Sequence, residues 1–402
     1  MDFPEPLLVV GGGIGGLGAA LALARDGYEA TVLERAAEFT EIGAGIQLGP
    51  NFMRALDRLG LRERVRAEAW LPPNLVFNNA MTGECITRVP VDGGFRERFG
   101  AEYALIHRAD LHRALLDACA DNPRIELHTD SEVGHIESGE DRVQVSTLRG
   151  EQYEAPVLVG ADGVWSLIRE HVIGDGKPQR SGHIAYRAVL RAQDVPADLW
   201  SENMNVWLGP RTHLVTYPLR RGELLNLVAV FHSDRYVEGY DRAGQLDELW
   251  RHFGAECAQV RRLLECIDSW KYWVLCDREP QRGWSHGRVA LVGDAAHPML
   301  QYLAQGAAMS VEDGIRLASE LRRCEQLPQA FARYEAARLQ RTARAQVTSR
   351  LYGYVFHLSG VLAEMRDQII GGWTPEQHWS AMSWMYDYDN DAPAPEPQLA
   401  TA

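Results

Sequence analysis

None of the six cysteines (Cys85, Cys119, Cys257, Cys266, Cys276, Cys324) lies in a C-x-x-C pair. Neither a zinc site nor a disulfide framework is therefore indicated, no metal is expected, and a reducing cytoplasm is the expected compartment. The chain also lacks a basic excess. Against 41 Lys and Arg stand 55 Asp and Glu, a formal net charge of −14, which disfavours nucleic acid or an anionic membrane surface as the main partner. Long apolar runs are missing too. Leu7 to Ala24 carries no charge, but glycines at 11, 12, 13, 15, 16 and 18 divide it, so no membrane span is expected. With no basic n-region or small-residue cleavage site before it, it does not read as a signal peptide. No internal repeat is visible. What is present is a 402-residue chain, 46% hydrophobic and 24% charged, the composition of a globular protein of roughly two to three domains.

The divided run reads as strand (Leu7 to Val10), glycine turn and Ala/Leu-rich helix ended by Gly27, followed by a strand from Ala30 to Glu34, a βαβ unit. Gly11-x-Gly13-x-x-Gly16 opens the helix, and Glu34 lies 21 positions beyond Gly13 (34 − 13). This is the dinucleotide fingerprint: glycine lets backbone approach a pyrophosphate, and free N–H groups with the positive helix end meet its charge. Glu34, followed by Arg35, would receive the adenosine ribose hydroxyls. The fingerprint alone does not separate NAD from FAD. Two further segments, Gly160-Ala-Asp162-Gly163-Val-Trp-Ser166 and Gly293-Asp294-Ala-Ala-His297-Pro298, also follow buried strands. Three strand ends that bring Gly and Asp to one sheet edge suit an extended cofactor with several phosphates and hydroxyls.

Elsewhere the pattern predicts a glycine-rich loop from Thr40 to Gly49, a helix from Pro50 stopping at a left-handed Gly60, and a helix from Arg108 to Cys119. Alternation over Ile125 to Ser138 and Arg142 to Leu148 predicts an antiparallel hairpin. From Ile184 to His232, strands rich in Val, Tyr, Leu and Thr predict a mainly antiparallel second domain. Helices follow from Gln245 to Phe253, Cys257 to Ile267, Gly306 to Leu321 and Pro328 to Leu358. Arg333, Arg338, Arg341, Arg344 and Arg350 on the last of these, with only Glu335 opposing, read as a solvated face. Trp373, Trp379, Trp384 and Met385 are expected to pack over the domain junction, and Asp387 to Ala402 to form a mobile tail.

The three motifs, in this order and together with His107-Arg108-Ala-Asp110-Leu-His112, resemble those of the single-component flavoprotein aromatic hydroxylases, over residues 5 to 365 or so. The resemblance implies an α/β fold: an FAD-binding Rossmann-like domain, as in 4-hydroxybenzoate hydroxylase, with an interleaved, mainly antiparallel β substrate domain and C-terminal helices. The corresponding division gives residues 1–72, 101–180 and 277–370 to the FAD domain and its long helix, 73–100 and 181–276 to the substrate domain, and 371–402 to a C-terminal segment. It implies FAD as cofactor, with Gly11, Gly13, Gly16, Glu34, Arg35, Gln47, Arg108, Asp162, Asp294, Gly306 and Ala307 binding it. NADH, which reduces the flavin, and dioxygen, which is captured as a flavin hydroperoxide, are the implied co-substrates, and a homodimer is expected.

Thr212-His213-Leu-Val-Thr-Tyr217-Pro218 and Pro298-Met-Leu-Gln301-Tyr302 are most similar to the branch of the family that hydroxylates 3-hydroxybenzoate para to its phenol, giving gentisate (2,5-dihydroxybenzoate). Salicylate 1-hydroxylation and 6-hydroxynicotinate 3-hydroxylation on the same scaffold remain alternatives. A more distant one is a carrier that keeps the dinucleotide fold without turnover. On a strand, 213, 215 and 217 share a face, so both rings can meet one pocket. Since a phenol titrates near 10, a base or strong acceptor must draw off its proton to make the ring electron-rich. The resemblance assigns that role to His213, substrate hydrogen bonding to Tyr217, and a grip on the substrate hydroxyl to Gln301. Arg187 and Arg211 are candidates for the substrate carboxylate by charge, and His297 is expected to be structural.

Overall fold

The computed structural model describes residues 1–40, 44–235 and 242–393. Part of the glycine-rich loop and the end of the expected tail, 394–402, lie outside the described residues. Leu7–Val10, Ala30–Leu33, Leu158–Gly160 and Val289–Leu291 are apolar without alternation and buried throughout, as a parallel sheet covered on both faces requires. They belong to a six-stranded sheet ordered 285–286, 289–291, 158–160, 7–10, 30–33, 125–128. All neighbours are parallel except the Ser285–His286 edge strand. Parallel strands end at a common edge, so Val10, Gly160 and Leu291 sit side by side in register. The three motifs therefore emerge next to one another.

The first turn is built on glycine for steric reasons. Gly11 has φ +114°, and a Cβ there would lie 2.3 Å from the Ala161 carbonyl oxygen; a Cβ on Gly16 would lie 1.8 Å from the Gly11 oxygen. Gly60 follows the Pro50–Arg58 helix with φ +75°, as expected for a left-handed cap.

The expected hairpin between Ile125 to Ser138 and Arg142 to Leu148 is present between Val133–Ser138 and Val143–Thr147, and only the start of its first stretch, Ile125–His128, is corrected. Ile125–His128 runs parallel to Ala30–Leu33 in the large α/β sheet, whereas Val133–Ser138 pairs antiparallel with Val143–Thr147 in a separate three-stranded sheet. The chain breaks between them at Asp130, whose φ is +55°. Alternation reports a half-buried strand but not its partner.

An eight-stranded sheet follows the order 242–243, 271–277, 179–191, 224–232, 212–219, 204–209, 74–79, 85–90. It is antiparallel apart from the parallel contact of Met204–Gly209 with Asn74–Asn79. Thr212–Leu219 lies inside it and is buried along its length.

The arginine-rich helix, Leu327–Phe356, corrects a second expectation. Arg338 is fully buried, with Nε 2.6 Å from Asp313 Oδ1 and Nη1 2.8 Å from Glu312 Oε2. Arg341 pairs with the same Glu312 and Arg350 with Asp277. The opposing acids come mostly from another helix, Gly306–Arg323, so a count along one helix missed them. Burial pushes the Glu312 and Asp313 carboxyls upward, but Arg341 and Arg338 beside Glu312, and His297 and Arg338 beside Asp313, hold both below their usual range. Removing one partner of such a cluster leaves uncompensated buried charge. Arg338→Ala is therefore expected to cost about 3–5 kcal/mol, measured by urea denaturation.

Residues 387–393, expected to have almost nothing to pack against, make contacts with the body of the fold. Asp387 pairs with Arg98 at 2.7 Å, the Tyr388 ring lies 4.0 Å from the Arg341 guanidinium, and Arg316 donates to the Ala392 carbonyl at 2.6 Å. Of the C-terminal aromatics, Trp379 donates to the Pro90 carbonyl at 2.9 Å and Trp384 stacks under Arg344, while Met385 is buried and Trp373 partly exposed. No helix among the described residues is long and apolar enough to cross a membrane.

Candidate active site

A cavity of about 640 Å³ is lined both by the C-terminal edge of the α/β sheet and by one face of the antiparallel sheet. At the first border, Gly13, Gln47, Arg108, Asp294, Gly306 and Ala307 contribute to its wall. Gly13 has ordinary extended backbone and, among the described residues, nothing within 4 Å of a Cβ built on it. No contact among the described residues explains glycine there, whereas a ligand approaching the backbone would. The helices Ile14–Arg25 and Gly306–Arg323 both start at this wall with no side-chain cap among the described residues, which leaves first-turn N–H groups for an anion or an electron-rich ring edge. These features fit FAD.

The other fingerprint residues act from behind the wall. Gly11 and Gly16 permit the close turn, and Glu34 accepts from Gly12 N and Ala36 N, both at 2.8 Å, which fixes its carboxylate. Arg35 is exposed beside it. The Asp162 carboxylate accepts from Ser166 Oγ at 2.5 Å and Ile168 N at 3.1 Å, holding the start of its own helix, while Ala161 and Gly163 line the cavity. His297 Nε2 is 2.5 Å from Asp313 Oδ2, and Gly293 N donates to the same oxygen at 2.9 Å, so this histidine clamps the third motif.

At the opposite border, His213, Val215 and Tyr217 point into the cavity from one face of their strand. The Tyr217 ring lies against Gly45, where a Cβ would be 2.4 Å from Cε2. Burial pushes its hydroxyl well up, against an opposing pull from Arg187, so it stays protonated. Gln47, on the short strand Gly45–Leu48 rather than in a loop, accepts from the Tyr103 hydroxyl at 2.6 Å. His213 is buried, and its Nδ1 is 2.8 Å from His357 Nε2. Its other nitrogen is the one left for a ligand.

Gln301 Oε1 accepts from Arg187 Nη2 at 2.6 Å. With its oxygen engaged, Gln301 can offer its NH2 group as a donor. The Arg187 guanidinium also stacks 4.5 Å from the Trp273 ring centroid, and both residues line the cavity. Arg211, the other charge candidate, is exposed at a turn with φ +63°.

The FAD binding domain family matches residues 5–349. The chain belongs to the FAD-dependent aromatic hydroxylases. It is 43% identical over 385 residues to 3-hydroxybenzoate 6-hydroxylase of Polaromonas naphthalenivorans (strain CJ2), covering 96% of each chain. It is 44% identical over 381 residues to 3-hydroxybenzoate 6-hydroxylase 1 of Aquipseudomonas alcaligenes, covering 94% of this chain and 97% of that one. Among solved structures, a salicylate hydroxylase substrate complex superposes over 100% of both chains with a TM-score of 0.82 and 25% identity.

In this FAD-dependent aromatic hydroxylase, the residues that sequence reading missed are Tyr103, Trp273 and His357, which come from elements far apart in the chain. Arg187 carried a faint signal, a single charge in the otherwise apolar stretch Ile184 to Leu190. One solution property follows from the burial of His213. Its imidazole is pushed down to about 3, whereas an unfolded histidine titrates near ~6.5. The native state stays neutral where the unfolded chain takes up a proton. Stability is thus full above the unfolded value and lost as pH falls toward the folded one. By pH 5 the loss from this group approaches about 2 kcal/mol. Thermal unfolding between pH 7 and 5 is expected to show a smaller drop in Tm for His213→Asn than for the parent; equal drops would contradict the neutral assignment.

Proposed function

We propose that this hydroxylase converts 3-hydroxybenzoate to 2,5-dihydroxybenzoate, with NADH as reductant and dioxygen as oxidant. One oxygen atom enters the ring para to the phenol and the other leaves as water, while NADH transfers a hydride and becomes NAD⁺. The observation that carries the reading is that His213 and the Gln301–Arg187 pair line the same cavity as the cofactor cradle. Bound FAD supplies the activated oxygen. The chain binds the ring, draws off its phenolic proton and keeps water away.

His213 is the proton acceptor. Burial leaves it neutral at working pH, with a lone pair to offer. An anionic substrate beside it lifts its basicity, because a neighbouring negative charge favours imidazolium. Tyr217, held protonated, orients the ring by donating. Gln301 donates its NH2 group, and Arg187 supplies the positive charge that a buried benzoate carboxylate needs. Val206, Val215 and Leu275 complete an apolar wall, which limits wasteful loss of the activated oxygen to water.

Arg187→Ala is expected to weaken 3-hydroxybenzoate binding by roughly 10- to 100-fold, about 1.4–2.7 kcal/mol, read from substrate perturbation of flavin fluorescence. An unchanged Kd would remove it as the carboxylate partner. The reading includes a cytoplasmic homodimer. Six free thiols fit a reducing compartment, and Leu351, Val361, Met365 and Ile369, each more than half exposed on the C-terminal helices, offer an apolar face for a second copy. The reading is tested by anaerobic reduction of the bound flavin with NADH in the presence of 3-hydroxybenzoate, salicylate or 6-hydroxynicotinate. Acceleration by 3-hydroxybenzoate is expected, and acceleration by one of the others alone would reassign the substrate.

A further inference from the structure

Behind His213, imidazoles gather from separate elements. His183 lies on the strand Gln179–Arg191, His232 ends Leu224–His232, and His357 follows the Leu327–Phe356 helix. His183 Nε2 and His232 Nε2 are 2.6 Å apart, and the Tyr302 hydroxyl is 2.5 Å from His183 Nδ1. His357 gives Nε2 to His213, while its Nδ1 is buried without a hydrogen-bond partner among the described residues. One ring nitrogen of each of His183, His232 and His357 lies within 4.8 Å of the others.

We propose that His183, His232 and His357 form a binding site for a divalent transition-metal ion of the zinc type. Three neutral imidazoles are a ligand set that zinc, nickel and copper favour. Burial keeps His183 at about 4 and pushes His357 and His232 down as well, so protons do not compete for the lone pairs near neutral pH. Ligating histidines have their second nitrogen held by an outer partner. Here Tyr302 holds His183 and His213 holds His357. Two ligands of one tetrahedral ion stand roughly 3.3 Å apart, so loading moves His183 and His232 apart by less than an ångström. The Arg211 charge acts on His183 and His232; it opposes a bare dication there and favours an anion in the fourth position.

Occupancy would fix proton positions next door, a consequence that rests on the role given to His213 above. With Nδ1 on the ion, His357 keeps its proton on Nε2 and donates to His213 Nδ1. His213 then carries its own proton on Nε2 and presents a donor to the cavity. In that form it cannot take a phenolic proton, so the ion switches hydroxylation off.

The test titrates zinc chloride into the FAD-loaded enzyme by calorimetry, without substrate. One tight equivalent is expected, weakened at least ~10-fold in His232→Ala and in the more polar His232→Gln, and retained in His135→Ala, which alters an exposed histidine elsewhere. Unchanged zinc affinity in both His232 variants overturns the site. In turnover, one equivalent of zinc should inhibit the parent reversibly by EDTA and leave His232→Ala unaffected. Zinc bound with turnover undiminished would contradict the switch. Failure of the parent to oxidise 3-hydroxybenzoate without zinc would strike the functional reading and leave the calorimetry intact.

Discussion

Replacing His213 by alanine is expected to lower ring hydroxylation by about 10²- to 10⁴-fold, the usual contribution of a positioned acid or base, while FAD stays bound. His213 lies on the antiparallel sheet, and the cofactor cradle is built from the edge of the α/β sheet. Reduction by NADH should continue and oxygen should still be consumed, but a ring that keeps its phenolic proton is a poor nucleophile toward the activated oxygen. Hydrogen peroxide should then account for most of the NADH oxidised. The substitution also leaves His357 Nε2 without its 2.8 Å partner, at a stability cost of about 1–3 kcal/mol, which a thermal melt reads separately. Product yield per NADH unchanged from the parent would remove His213 as the acceptor.

Gly13→Val is expected to leave the apoprotein folded and weaken FAD at least ~10³-fold, about 4 kcal/mol. Gly13 has φ −77° and ψ −176°, backbone that valine adopts readily. No described residue lies within 4 Å of the added Cβ. The branched side chain would instead occupy the space beside the uncapped helix start that a pyrophosphate needs. Gly16→Val serves as the contrast: its Cβ would sit 1.8 Å from the Gly11 oxygen, and it should lower apoprotein stability as well. Gly13→Val recovered yellow, with full flavin occupancy, would show that the cofactor does not approach the chain there.

The cofactor half of the molecule was legible because its signals are local. The Gly11–Gly16 spacing, the acid at 34 and the two later Gly-Asp turns each follow a strand, and parallel pairing brings strand ends to one edge without further information. The face shared by His213, Val215 and Tyr217 was legible for the same reason, since strand alternation is a two-residue property. Relations between distant elements were not. Nothing in Ile125 to Ser138 says that its first four residues join a parallel sheet. The charge of Arg338 is answered by Glu312 and Asp313 from the neighbouring helix, so a sum along its own helix misjudged it as solvated. The histidines at 183, 232 and 357 carry no common spacing, and only the closed fold brings them behind His213.

Identifying the product tests the central claim most directly. Purified FAD-loaded enzyme is supplied with NADH, air and equal amounts of 3-hydroxybenzoate, salicylate and 6-hydroxynicotinate in separate reactions, and the aromatic products are resolved by chromatography and mass. Formation of 2,5-dihydroxybenzoate from 3-hydroxybenzoate, near one molecule per NADH, is the expected result. Recovery of 3-hydroxybenzoate unchanged, with hydrogen peroxide matching the NADH consumed or with a hydroxylated product from another acid only, would contradict it.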